Sequence, residues 1–166
     1  SPVGGMPELR KKIAKYYNEN FSGNYNAQNV LVTVGSTEGL ASVLKTILEK
    51  DDEVIIPTPA YVGYEPLITI SEAKTKFVDL EENNFVLTKE ILEKNITDKT
   101  KLIILTYPNN PSGITLAEEE MVKIVRFLKE KSIYLISDEI YAAITFEKFT
   151  SFAKFSDELK EQLIII

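Results

Sequence analysis

Lys101-Leu102-Ile103-Ile104-Leu105-Thr106-Tyr107-Pro108-Asn109-Asn110-Pro111-Ser112-Gly113 is the stretch on which the fold reading turns. Its apolar run, residues 101–106, closed by a proline, reads as a buried strand. Pro108 and Pro111 then keep the backbone off a helical path. Gly113 permits a positive φ. Two asparagines therefore stand on a stiff loop at the end of a strand. The same residues also make an ordinary turn, and the segment alone does not choose between the two readings.

Working outward, helix and strand signals alternate. Downstream, Thr115 and Glu118 have capping-box spacing, and Met121, Ile124, Val125 and Leu128 continue that helix. Residues 133–137 and 163–166 read as two more strands. Upstream, residues 30–34, 53–57 and 75–80 are expected strands, the first stopping at Gly35. Pro7 and Glu8 suit a helix start, with Leu9, Ile13, Tyr16 and Tyr17 on one face. Leu40, Val43, Leu44, Ile47 and Leu48 have helical spacing. Short helices are expected over residues 63–71 and from a Thr88 cap to residue 95. The alternation predicts an α/β fold of three layers, a mostly parallel sheet with helices on both faces.

Composition narrows the chemistry. The chain has 166 residues, enough for one domain with a real core. It has neither cysteine nor histidine. That removes disulfides, thiolate nucleophiles, zinc-thiolate sites and the commonest general base. A net charge of −6 without a basic stripe argues against nucleic acid as a partner. The longest apolar runs fall far short of the roughly 20 residues that span a bilayer. Residues 1–10 lack the pattern of a signal peptide. No membrane partner and a cytoplasmic location are the expectation.

In parallel sheets, ligands bind beyond the carboxyl ends of the strands. Four such ends are polar or aromatic: Gly35-Ser36-Thr37-Glu38-Gly39, Pro57-Thr58-Pro59-Ala60-Tyr61, the Asn109–Asn110 loop, and Ser137-Asp138-Glu139-Ile140-Tyr141. Ser36 and Thr37 at a helix N-terminus suit a phosphate, and equally an ordinary N-cap. Tyr61 can stack on a planar ligand or simply pack. Asp138 at the end of a buried strand needs a partner, such as a protonated ring nitrogen, or else caps the next helix. Glu139 reads equally as a solvated or a structural acid. Tyr141 lies near enough to offer its hydroxyl.

Together with Gly5-Met6-Pro7-Glu8-Leu9-Arg10, these segments resemble, in order and spacing, the class I/II aminotransferases of the pyridoxal-phosphate fold-type I superfamily, aspartate aminotransferases among them. The resemblance covers essentially the whole chain. It implies part of a large cofactor domain over residues 1–166, with the small domain absent. It implies pyridoxal 5'-phosphate as cofactor. Ser36 and Thr37 would hold its phosphate and Tyr61 would stack on its ring. Asn110 and Tyr141 would bond the ring's phenolic oxygen, and Asp138 would pair with the ring nitrogen. Tyr107 and Ser112 stand where many members carry Asn and Thr, and Tyr107 is expected to alter the pocket slightly.

The resemblance also places the Schiff-base lysine beyond Ile166. Lys148, Lys154 and Lys160 come too early and read as surface residues. No catalytic residue is therefore expected in this chain, which alone should not transaminate. The parent would exchange an amino group between an amino acid, aspartate or aromatic, and a 2-oxo acid, as a homodimer. A carbon–sulfur lyase of the same superfamily and a non-catalytic pyridoxal-phosphate or phosphate-binding module are the alternatives. A nucleotide-binding domain lacks its glycine fingerprint here.

Overall fold

The computed structural model describes residues 2–146 and 148–166. Among the described residues, five strands form one parallel sheet: β1 (Glu53–Thr58), β2 (Lys74–Asp79), β3 (Thr100–Thr106), β4 (Tyr134–Asp138) and β5 (Leu163–Ile165), in the order β2-β1-β3-β4-β5. The helices are α1 (Pro7–Phe21), α2 (Ser36–Ile47), α3 (Tyr64–Ile70), α4 (Lys89–Asn95) and α5 (Glu118–Lys129). Among the described residues, no helix is long and apolar enough to cross a membrane.

Strand side chains alternate between faces, and two cores follow. Val54, Ile56, Leu102, Ile104 and Ile136 pack against Leu40 and Leu44 of α2 and Tyr64 and Ile68 of α3. Ile55, Ile103, Leu105 and Leu135 pack against Leu92 of α4, four apolar residues of α5, and Phe152 and Phe155 of a 3-10 turn. Helices therefore cover both faces, and the three-layer α/β expectation holds.

Local chemistry sets most helix ends. Pro7 occupies the first turn of α1, and Ser22 closes it in the left-handed region at φ 55. Thr88 Oγ1 accepts from the Ile91 N–H at 3.3 Å to cap α4, as its sequence predicts. The expected Thr115–Glu118 box does not form. The N-cap of α5 is Ala117, without a side-chain bond. Glu118, Glu119 and Glu120 at its start, and Arg126 and Lys129 at its end, complement the helix dipole instead.

Two further expectations change. Residues 30–34 do not join the sheet. The Val32 N–H bonds the Gly4 carbonyl at 3.1 Å, and Arg10 Nε bonds the Val30 carbonyl at 2.7 Å. Their β-branched side chains favour extended backbone, but the partner is the N-terminal segment. The face of α1 is also shallower than its periodicity suggests: Ala14 is buried, while Leu9 and Tyr16 are exposed.

The connection after β1 leads outward to β2, and the chain then crosses back to β3 on the other side of β1. A crevice opens where strand order reverses in this way. The carboxyl ends of β1, β3 and β4 all reach it.

Candidate functional site

The register pairs Thr106 with Asp138 at the ends of β3 and β4. Both side chains fall on the α2–α3 face. Tyr64, at the first position of α3 and only 1% exposed, places its hydroxyl between them. It lies 2.6 Å from Thr106 Oγ1 and donates to Asp138 Oδ2 at 2.7 Å. The second carboxylate oxygen, Oδ1, accepts from the Ile140 N–H at 3.3 Å. Burial pushes the Asp138 carboxyl above the ordinary aspartate range, while the Tyr64 and Ile140 bonds pull it back. Burial and the facing Asp138 charge push the Tyr64 phenol up, so it stays a donor.

These groups form one wall of a cavity of about 200 Å³, also lined by Ser36, Thr37, Leu40, Tyr61, Asn110, Ile140 and Tyr141. At one end stands the N-terminus of α2. Gly35, at φ 84, turns the chain into the helix, and no side chain caps its first turn. The one acid there, Glu38, folds back onto the Val34 N–H. Tyr61 stands edge-on to Tyr64, ring centroids 5.4 Å apart. Gly63 makes room for that ring, because a Cβ there would lie 2.3 Å from Tyr61 Cε1. Across the cavity, Asn110 Nδ2 donates to Tyr141 Oη at 3.1 Å. Asn109 instead builds the loop, taking Ser112 Oγ at 2.7 Å and reaching the Pro59 carbonyl at 3.0 Å.

All six residues singled out in the sequence, Ser36, Thr37, Tyr61, Asn110, Asp138 and Tyr141, therefore line one cavity. Sequence reasoning missed Tyr64, Thr106 and Gly63. The available signal for Tyr64 was a hydroxyl-bearing aromatic at the start of the helix after β1, three residues past Tyr61. Tyr107 does not shape this cavity. It packs in the core on the other face, where its hydroxyl takes the Leu87 N–H at 3.2 Å. Lys148, Lys154 and Lys160 are exposed, as expected.

Glu139 resolves as a structural acid. Strand alternation turns it away from Asp138, to the α5 side, where it is 5% exposed. Its Oε1 accepts from Ser137 Oγ at 2.9 Å and the Phe152 N–H at 3.0 Å. Burial above all pushes its carboxyl up to about 7.

The description "Aminotransferase class I and II" matches residues 1–166. A probable N-acetyl-LL-diaminopimelate aminotransferase of Bacillus subtilis is 38% identical over 100% of this chain and 42% of that protein. The aspartate aminotransferase of the same organism is also 38% identical, over 43% of its length. Among solved structures, a Thermus thermophilus aspartate aminotransferase mutant superposes with a TM-score of 0.93 at 29% identity, covering 99% of this chain and 45% of that one. An aromatic aminotransferase from Pyrococcus horikoshii gives 0.92 at 30% identity, with the same coverage. The chain thus spans less than half the length of these relatives.

Proposed function

We propose, from the premise that this chain belongs to the class I and II aminotransferase family, that its strand-end cavity holds pyridoxal 5'-phosphate. The full-length enzyme then moves an amino group between an amino acid, aspartate or aromatic, and a 2-oxo acid. The observation that carries this reading is Asp138. It is a carboxylate 5% exposed, held by Tyr64, in a cavity whose other groups match the remaining parts of that cofactor.

The residues present fit the group. The uncapped first turn of α2, with Ser36 and Thr37, offers N–H groups and the positive end of a helix dipole to the phosphate. Tyr61 offers an aromatic face to the ring. Asn110 and Tyr141, already in contact, converge on one acceptor, the ring oxygen. Asp138 keeps a proton on the ring nitrogen, because a buried carboxylate is most stable beside a cation. Tyr64 and the Ile140 N–H hold that carboxylate by one oxygen each. When bound, the cofactor draws electrons from the amino acid's α-carbon.

Titrating the chain with pyridoxal 5'-phosphate, followed by the cofactor's absorbance, tests this directly. Asp138→Ala should weaken binding at least roughly tenfold, since a hydrogen bond to a charged group is worth about 1.5–3 kcal/mol. An unchanged affinity would leave a phosphate cradle only. The chain alone should show no turnover of amino acid with 2-oxo acid. Steady turnover would overturn the proposal that the group performing proton transfer lies outside it.

A further inference from the structure

Beside Asp138, Tyr64 and Thr106 form a line of two hydroxyls, both buried and both at the cavity wall. Tyr64 Oη stands 2.6 Å from Thr106 Oγ1 and 2.7 Å from Asp138 Oδ2. The direction of the line follows from counting protons. A phenol has one proton to give, and an ionised carboxylate can only accept. Tyr64 therefore donates to Asp138, and Thr106 donates to Tyr64. Both bonds point at the carboxylate, and each polarises the next.

Three elements fix this line. β3 and β4 set Thr106 and Asp138 side by side in register, and the start of α3 brings the Tyr64 hydroxyl between them. Tyr64 is 1% exposed, so water does not compete for that hydroxyl. The other carboxylate oxygen, Oδ1, accepts from the Ile140 N–H at 3.3 Å. Each oxygen of Asp138 thus accepts one donor, and such bonds are roughly twice as strong to an ion as to a neutral group. A proton moved from a neighbouring cation onto Asp138 would weaken them.

We propose that Tyr64 is a positioning residue and Thr106 its upstream donor: together they hold Asp138 as an anion, so that the proton it shares with the cofactor stays on the ring nitrogen. This rests on the cofactor reading above, and adds to it two residues that do not pair with the ring nitrogen themselves. The competing role for Tyr64 is shape alone, its ring packed edge-on against Tyr61 with centroids 5.4 Å apart. The two roles differ in one respect. Shape serves any ligand of the right outline, whereas the hydroxyl line serves only a ligand with a basic nitrogen facing Asp138.

Binding of pyridoxal 5'-phosphate and of its 1-deaza analogue, in which a C–H replaces the ring nitrogen, separates them. Calorimetry gives both affinities for the wild type, Tyr64→Phe and Thr106→Val. Tyr64→Phe should weaken pyridoxal phosphate roughly fivefold, the effect of one hydrogen bond, and leave the analogue unchanged. Thr106→Val keeps the branched shape that suits a strand, and should show the same pattern to a smaller degree. It also keeps the test decisive if Tyr64→Phe fails to fold. Equal losses for the two ligands, or no loss for either, overturn the proposal. A wild type that binds the analogue as tightly as pyridoxal phosphate overturns instead the pairing of Asp138 with the ring nitrogen, and the hydroxyl line falls with it.

Discussion

Replacing Glu139 by glutamine and following stability across pH isolates the buried acid on the reverse face of the sheet. Burial raises its carboxyl from 4.5 to about 7 in the folded chain. The sign follows from linkage: the folded state binds this proton more tightly than the unfolded state does. The contribution is therefore fully present below about pH 4.5 and is lost as pH rises through about 7. The whole change corresponds to about 3 kcal/mol. About 2 kcal/mol of it lies between roughly pH 5.5 and 8.5, clear of the isoelectric point near 4.9. Tyr17 and Tyr25, pushed up to about 12 by burial and by the charge of Glu139, stay neutral throughout. Asp138, the other acid nearby, is common to both proteins. Glutamine keeps an acceptor for Ser137 Oγ and the Phe152 N–H but carries no charge. Urea denaturation of both proteins, subtracted at each pH, should show glutamine gaining about 2 kcal/mol over that range. A flat difference would show that Glu139 titrates normally and would refute the reasoning.

Tyr64→Phe strands Asp138 Oδ2 and Thr106 Oγ1, and should cost about 1–3 kcal/mol in denaturant unfolding. The same change should weaken pyridoxal-phosphate binding less than Asp138→Ala does. Leu44→Ala, at a side chain 0% exposed, should cost about 2–5 kcal/mol by the same assay. Gly5→Ala should destabilise more than Gly35→Ala. Both glycines have positive φ, but a Cβ at Gly5 would lie 2.6 Å from Val32 Cβ, whereas at Gly35 it meets nothing within 4 Å. Matched thermal melts would rank the pair, and the reverse order would contradict the contact argument.

The sheet and the cavity were legible because strand ends concentrate polar and aromatic residues against an apolar background. Asp138, Asn110 and Ser36 stand out at the ends of apolar runs, and the strand-end rule gathers them without knowledge of any contact. What escaped depended on pairing. Residues 30–34 have the composition of a strand, but composition specifies an extended backbone and not its neighbour. Thr115 and Glu118 have the spacing of a cap, yet the helix starts after Ala117, so Thr115 stands outside the cap position. Tyr64 reads as one more amphipathic helix residue until β3 and β4 bring Thr106 and Asp138 under its hydroxyl. Glu139 could be assigned only once the start of β4 fixed which face each side chain takes.

That last feature makes the end of β4 an odd–even device. Asp138 reaches the cavity and Glu139 the reverse core only through the count of residues from Tyr134. Deleting Ser137 would move Asp138 to the reverse face and bring Glu139, longer by a methylene, into the cavity. The chain would keep two acids, five strands and the same charge. Yet an aspartate too short to reach Phe152 would sit in the core, and an overlong glutamate would press on Tyr64. Substitutions along β4 can therefore be graded by volume and polarity, but a single-residue deletion there inverts both sites together.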